Sequence, residues 1–258
     1  MGITVGKALI PYYGIWIFAG VSVAFFFGWV QIKKFHADFD EFITLVGCVG
    51  IGAIIGAKLL YVFVSWNQID FTRITDLHYL QMYMAGGFVF YGGLFGGIIG
   101  MWLCERIFHI DTLFYAGIAI PCIPIAHAFG RMGCNAVGCC YGIPYNGIGA
   151  IVYEHSAIAP NGISLFPVQK VEAIINIVIA VYLIAFINRY EKSKKYSLLF
   201  YLISYAIARF FLEFFRYDNV ERGGWKLLST SQWCGVLIIA AIVCACILYR
   251  KNIIKKKE

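Results

Sequence analysis

Seven long apolar segments follow one another along the chain, and this pattern constrains the fold more than any other feature. Crossing a bilayer takes about 20 residues of α-helix, whereas a membrane barrel would show short alternating strands. The pattern therefore predicts an all-α polytopic membrane protein with about seven transmembrane helices. The segments are residues 9–32, 43–66, 87–103, 112–129, 171–188, 197–215 and 233–249.

The composition agrees with this class of protein. Of 258 residues, 61% are hydrophobic and 14% are charged, compared with about a quarter charged in a typical soluble domain. Since neither an internal repeat nor a soluble second domain stands out, we expect residues 1–258 to form a single membrane domain. The net charge of +7 fits membrane topology and anionic lipid, and we expect no nucleic-acid partner.

The basic residues between the segments predict the orientation, because cytoplasmic loops are rich in Lys and Arg. The predicted inside loops carry Lys33, Lys34, Arg106, Arg189, Lys192, Lys194, Lys195, Arg250, Lys251, Lys255, Lys256 and Lys257, and the outside loops carry Lys7, Arg73, Arg222 and Lys226. This places the N-terminus outside and the C-terminus inside. Residues 131–170 would then form a small extracytoplasmic cap between helices 4 and 5, with a hairpin near 150–153.

Charged residues within the sixth segment are the first sign of a site. Arg209, Glu213 and Arg216 in "ARFFLEFFRYD" are spaced to share one face of a helix. An intramembrane charge costs roughly 2.5 to 3.5 kcal/mol at a helix centre, so it needs a partner or a function. Arginine forks match phosphate oxygens, which favours a phospholipid head group over an internal pair that only holds the helix. Lys58, in the second segment, can snorkel instead.

A second candidate lies in "HAFGRMGCNAVGCCYG", residues 127–142. We expect Arg131 to follow the fourth helix directly, in a re-entrant loop of glycines that can adopt positive φ. These glycines are Gly130, Gly133, Gly138 and Gly142. The loop is therefore another candidate anion site.

The cysteines of this stretch leave several interpretations open. His127, Cys134, Cys139 and Cys140 could bind zinc, but the adjacent residues Cys139 and Cys140 would bind one ion awkwardly, and we expect neither a metal nor another cofactor. A thiolate of Cys139 or Cys140 activated by Arg131 could act as a nucleophile. A disulfide or simple packing of small residues is favoured over both.

Taken in order, these stretches resemble the bacterial prolipoprotein diacylglyceryl transferases. The resemblance rests on "PYYG", "GGFVFYGGLFGG", "GRMGCNAVGCCYG", "FPVQKVEA", "RFFLEFFR" and "SQW". It implies a multi-pass enzyme of the bacterial cytoplasmic membrane. Such an enzyme moves a diacylglyceryl group from phosphatidylglycerol to the thiol of a lipobox cysteine in a preprolipoprotein, forms a thioether and releases glycerol phosphate.

The resemblance also implies roles for individual residues. Arg131 and Arg209 fall on the arginines tied to the lipid phosphate, and Glu213 would orient Arg209. Tyr91 stands where the family has histidine and is the candidate general base or proton relay. The residues implied in substrate binding are Tyr13, Gly130, Gly133, Cys139, Gly142 and Arg216.

Departures from the family pattern leave the acceptor open. Besides Tyr91, they are Cys134 in place of Asn, Cys139 in place of Glu and Phe166 in place of His. The alternatives are a transferase that uses another thiol or hydroxyl, a catalytically silent lipid-binding protein, or a small transporter.

Overall fold

A computed structural model describes most of the chain, and within the described residues the protein is mostly helical. These residues are 2–5, 8–73, 75–79, 81, 87, 89–189, 194–217, 224–225, 228–229, 231–240, 242 and 244. The helices used below are α1 (Tyr12–Lys34), α2 (Phe39–Val64), α3 (Phe90–Phe108), α4 (Thr112–Ala119), α5 (Cys122–Val137), α6 (Val168–Arg189), α7 (Lys194–Leu212) and α8 (Ser231–Ala240).

Four described helices are long and apolar enough to cross a membrane: Tyr12–Lys34, Phe39–Val64, Val168–Arg189 and Tyr196–Phe215. α4 and α5 are bent by 48° at their junction and make a fifth candidate if the pair is one span. The chain is therefore a multi-pass membrane protein. The third predicted segment is helical as α3, and the seventh begins as α8. Residues 241, 243 and 245–249 of the seventh segment lie outside the described residues, as do Lys7, Lys192, Arg222, Lys226 and the basic tail.

The prediction of an all-α fold was incomplete, because three short antiparallel strand pairs are present. β1 (Gly2–Val5) pairs with β2 (Ala8–Pro11), β3 (Ile151–Val152) with β4 (Ser164–Leu165), and β5 (Gly224–Trp225) with β6 (Leu228–Ser229). Residues 9–11 thus belong to a strand, and α1 begins only at Tyr12. The β3–β4 pair lies where the hairpin was expected.

The chain divides into two compact units. The first unit is residues 1–31 and 117–258, and the second unit is residues 32–116. In the first unit α6 packs against both α5 and α7. Ala24 of α1, Ile125 of α5 and Ala180 of α6 form one buried cluster, so these three helices share a core.

Glycines hold α2 and α3 together in the second unit. A Cβ added at Gly56 would meet the Cα of Gly96 at 2.8 Å, and one added at Gly52 would overlap the Gly96 carbonyl oxygen. Small residues at this spacing let helix backbones touch in lipid. These glycines therefore form a packing surface between the two helices. In the same unit Lys58 Nζ lies 3.5 Å from the Gly87 carbonyl oxygen and 4.9 Å from the centre of the Tyr61 ring.

Candidate functional site

Arg131 lies inside α5, so the prediction that it sits in a re-entrant loop was wrong. The helical hydrogen bonding breaks earlier, between Ala119 and Cys122, where Pro121 lacks an N–H donor. Gly130 and Gly133 are helical residues of α5. Of the four glycines, Gly138 alone has positive φ, 78°, and it caps the C-terminus of α5.

Arg131 forms an ion pair with Glu172, a residue that the sequence reasoning missed. Arg131 Nη2 lies 3.0 Å from Glu172 Oε1, and their side chains are 14% and 2% exposed. The Tyr205 hydroxyl donates a hydrogen bond of 3.1 Å to the same oxygen, and His127 Nε2 lies 3.7 Å from it. A carboxylate early in the apolar helix α6 was the available signal, because an acid at that depth needs a cationic partner.

Arg209 forms the second buried ion pair, with Glu213, as the spacing predicted. The side chains are 11% and 1% exposed. Glu213 itself belongs to a 3₁₀ turn, Glu213–Phe215, that follows α7. Each of the two arginines therefore has its own glutamate within the first unit.

Arg216 does not share the helical face of Arg209 and Glu213, so this part of the prediction was wrong. The 3₁₀ turn ends before it, and its backbone is extended, with φ −95° and ψ 138°. Arg216 is buried and pairs through its backbone with Gly142. The turn after α7 thus redirects Arg216 toward the segment that follows α5.

Gly142 is required for that pairing by close approach. A Cβ at this position would lie 2.9 Å from the Phe215 carbonyl oxygen and would overlap the Phe166 carbonyl oxygen. Hydrogen bonds flank the pairing: the Ile143 N–H donates to Phe215 O at 3.0 Å, and the Tyr217 N–H donates to Tyr141 O at 3.2 Å. The segment after α5 is therefore fastened to the end of α7.

The two ion pairs leave hydrogen-bond donors unused. Within the part of the chain that the structure describes, Arg131 Nε and Arg209 Nη1 are buried and have no hydrogen-bond acceptor. Among the described residues, three arginines, including Arg216, and two glutamates contribute to this centre, so these five side chains together carry a net positive charge. Such an arrangement can bind an anion with several oxygens, because a guanidinium group donates in a fixed fork.

Three thiols lie together at the C-terminus of α5. The Sγ atoms of Cys134, Cys139 and Cys140 are within 4.8 Å of one another, and all three residues are thiols. The favoured disulfide is therefore absent from this cluster, and His127, which contacts Glu172 instead, does not belong to it. Cys134, Cys139 and Cys140 together form the thiol cluster.

Electrostatics single out Cys140 within the thiol cluster. Hydrogen bonds from Cys134 and Cys139 lower the pKa of Cys140 below its usual value, and the positive charges of Arg216 and Arg131 act in the same direction against the effect of burial. The surroundings of Cys140 thus favour its thiolate form, whereas burial of an ordinary thiol in apolar surroundings disfavours the thiolate.

The remaining predicted site residues fall in two places. Tyr13 lies in the first unit, within electrostatic range of Arg131 and of the thiol cluster, and a Cβ added at Gly133 would be 3.1 Å from its ring. Tyr91 lies in the first turn of α3, in the second unit, and is 43% exposed. The role of Tyr91 stays a prediction.

The fold and the site together define an integral membrane protein with a buried, positively charged centre built on α5, α6 and α7. A family model described as "Prolipoprotein diacylglyceryl transferase" matches residues 1–248. The chain belongs to the prolipoprotein diacylglyceryl transferase family and is a transferase.

Individual relatives agree with this assignment. The chain is 33% identical over 208 residues to "Phosphatidylglycerol--prolipoprotein diacylglyceryl transferase 2" of Clostridium perfringens, covering 81% of this chain and 77% of the relative. It is 33% identical over 227 residues to the corresponding transferase of Clostridium tetani, covering 88% of each. A Dehalococcoides mccartyi transferase is 29% identical, covering 99% of this chain and 94% of the relative.

Proposed function

We propose that this transferase moves the diacylglyceryl group of phosphatidylglycerol to the thiol of a lipobox cysteine in a prolipoprotein. The reaction forms a thioether and releases glycerol phosphate. The observation that carries the proposal is the pair of buried guanidinium groups, Arg131 and Arg209, each held by a glutamate and each with a buried N–H left to donate. The relatives are named for both substrates, phosphatidylglycerol and prolipoprotein.

Arg131 and Arg209 are the proposed phosphate ligands and the main catalytic residues. As the bond between the glyceryl carbon and the phosphate oxygen breaks, negative charge grows on the leaving phosphate. Donors that are already in place stabilise such charge without reorganising during the reaction. Glu213 pairs with Arg209, and we add Glu172 as the residue that positions Arg131, because it forms an ion pair with Arg131 and accepts a hydrogen bond from Tyr205.

The other predicted residues are proposed to complete the binding site. Arg216 adds positive charge, and Tyr91 is the proposed general base or proton relay for the acceptor thiol. The proposed substrate-binding residues are Tyr13, Gly130, Gly133, Cys139, Gly142 and Arg216. Tyr13 is supported by its proximity, because its hydroxyl is in electrostatic range of Arg131 and Cys139. Gly142 and Arg216 are supported by their backbone pairing.

The proposed membrane arrangement has seven helices in the bacterial cytoplasmic membrane, with the N-terminus outside and the C-terminus inside. Residues 131–170 would form the extracytoplasmic cap, and residues 1–258 one domain. Basic residues in the last turns of α1, α3 and α6 support this orientation, since all fall on the predicted inside. The match of the family model to residues 1–248 supports a single transferase domain.

The test of the reaction uses the purified full-length protein, phosphatidylglycerol labelled in its acyl chains, and a peptide with one lipobox cysteine. Label should move to the peptide, and Arg131→Ala or Arg209→Ala should lower the rate by about 100-fold or more, as loss of a preorganised donor does. Arg209→Lys keeps the charge but loses the fork, so its rate should fall between wild type and Arg209→Ala. Arg73→Ala, which removes an exposed ion pair with Asp76, is the matched control.

Three results would count against the proposal. An Arg209→Lys variant with full activity would contradict phosphate binding through a guanidinium fork. Absence of label on the peptide, while the same lipid still binds the protein, would favour a silent lipid-binding protein. Label on a different thiol or hydroxyl compound, but not on the lipobox peptide, would keep the lipid donor and change the acceptor.

A further inference from the structure

The thiol cluster has the composition of a metal site. The proposed binding of the lipid phosphate by the arginines does not account for it. Three cysteine sulfurs lie within 4.8 Å of one another, and no described His, Asp or Glu joins them. Zinc–sulfur bonds of about 2.3 Å in tetrahedral geometry separate two sulfurs by about 3.8 Å. The three sulfurs therefore need to approach by at most about 1 Å to share one ion.

The backbone around the thiol cluster is held in the conformation that brings the sulfurs together. Gly138 turns the chain at φ 78°, and Cys140 itself adopts φ 57°, which is unusual for a residue with a side chain. The Gly138 and Cys139 N–H groups both donate to the Cys134 carbonyl oxygen, at 2.9 and 3.1 Å. A strained residue that its surroundings keep in place is a mark of a functional site.

The cap segment secures the same turn from the other side. Gln169 Nε2 donates a hydrogen bond of 2.9 Å to the Cys139 carbonyl oxygen, and the Ser156 hydroxyl donates one of 3.1 Å to the carbonyl oxygen of Val137. Gln169 is 1% exposed. A set of ligands fixed by such surrounding contacts is preorganised for a metal.

The local charge suits a metal bound by thiolates. Three thiolates with one divalent zinc ion carry a net charge of −1, and a buried negative charge needs a nearby cation. Arg131 and Arg216 both act electrostatically on Cys140. The same arginines that favour the lipid phosphate thus also compensate the thiolate ligands.

We infer that Cys134, Cys139 and Cys140 bind one zinc ion whose fourth position takes the acceptor thiol. This inference rests on the proposed diacylglyceryl transfer and gives the thiol its activation. A thiol that coordinates zinc is deprotonated, and a catalytic zinc site keeps one position open for water or substrate. The zinc ion would then generate the thiolate, which leaves Tyr91 the role of proton relay.

The transfer step balances without a further reactant. The acceptor S–H gives its proton to solvent when the sulfur binds zinc. The sulfur then attacks the glyceryl carbon, a carbon–sulfur bond forms, and the bond from that carbon to the phosphate oxygen breaks. The phosphate oxygen keeps the electron pair and leaves as glycerol phosphate next to Arg131 and Arg209.

Metal content gives the first test, on full-length protein purified in detergent under anaerobic, reducing conditions. Mass spectrometry of the metals should find about one zinc per chain. Cys134→Ser, Cys139→Ser or Cys140→Ser should each lose most of it, while Cys122→Ser, in α5 but outside the cluster, should keep it. Equal zinc in wild type and the three variants, or a disulfide between two cluster cysteines under these conditions, would overturn the inference.

Cobalt gives a readout that does not depend on turnover. Wild-type protein loaded with Co²⁺ should show thiolate-to-cobalt absorption in the near ultraviolet. A lipobox peptide with cysteine should strengthen this band, whereas the same peptide with serine should leave it unchanged. An equal response to both peptides would refute coordination of the acceptor thiol.

Activity separates failure of the zinc site from failure of the proposed reaction. Removing zinc from wild-type protein with a chelator should lower transfer by about 100-fold, a typical contribution of activating a proton-bearing reactant, and added zinc should restore it. Equal transfer with and without zinc would overturn the inference and leave the proposed function standing. A cobalt response to the cysteine peptide with no transfer in any preparation would instead refute the proposed function, and the catalytic role of zinc with it.

Discussion

Replacing Glu172 by glutamine changes the charge that holds Arg131 while keeping the size of the side chain. Glu172 is 2% exposed, forms an ion pair with Arg131 at 3.0 Å and accepts a hydrogen bond from the Tyr205 hydroxyl at 3.1 Å. A buried hydrogen bond to a charged group contributes about 1.5–3 kcal/mol. If that energy positions Arg131 for the phosphate, kcat/KM for phosphatidylglycerol should fall about 10- to 150-fold.

The assay for Glu172→Gln is a double-mutant cycle with Arg131→Ala, followed by transfer of label to the lipobox peptide. If Glu172 acts through Arg131, the glutamine substitution should cost little further activity once Arg131 is absent. A merely structural effect would add to that of Arg131→Ala. Wild-type kcat/KM for Glu172→Gln, or full additivity in the cycle, would refute the positioning role.

Further substitutions test other contacts. Tyr205→Phe removes one donor to Glu172 and should lower kcat/KM about fivefold, equivalent to about 1 kcal/mol; an unchanged value would show that this hydroxyl is dispensable. Gly142→Ala should lower the melting temperature, because its Cβ would overlap the Phe166 carbonyl oxygen, whereas Gly47→Ala, with open space around it, should not. In metal-free protein, alkylation of Cys140 should reach half its maximal rate at a lower pH than alkylation of an ordinary free thiol, because hydrogen bonds from Cys134 and Cys139 lower its pKa; a midpoint at or above that of the free thiol would contradict this.

The sequence predicted the features of the site that depend on local spacing. Arg209 and Glu213 are four residues apart, across the end of α7 and the 3₁₀ turn that continues it, so their ion pair follows from local helical spacing. The basic residues at the ends of α1, α3 and α6 were equally visible. The seven apolar segments likewise indicated the class of protein, since length and hydropathy are properties of the chain itself.

The features that the sequence did not predict depend on contacts between distant residues. The pairing of Arg131 with Glu172 joins α5 to α6, and periodicity within one helix carries no information about it. The position of Arg216 depends on a 3₁₀ turn and on the backbone of Gly142. Metal binding by these cysteines was not favoured because Cys139 and Cys140 are adjacent, but Cys140 has positive φ and the three sulfurs lie within 4.8 Å of one another.

The two buried ion pairs also differ in when they can form as the protein is synthesised. Arg209 meets Glu213 within its own turn of the chain, so this helix enters the lipid with its charge already compensated. Arg131 pairs with Glu172 of α6, and this helix leaves the ribosome after α5. Insertion of α5 should therefore be incomplete until α6 emerges, and a nascent chain truncated before Glu172 should leave α5 with the translocon or at the membrane surface.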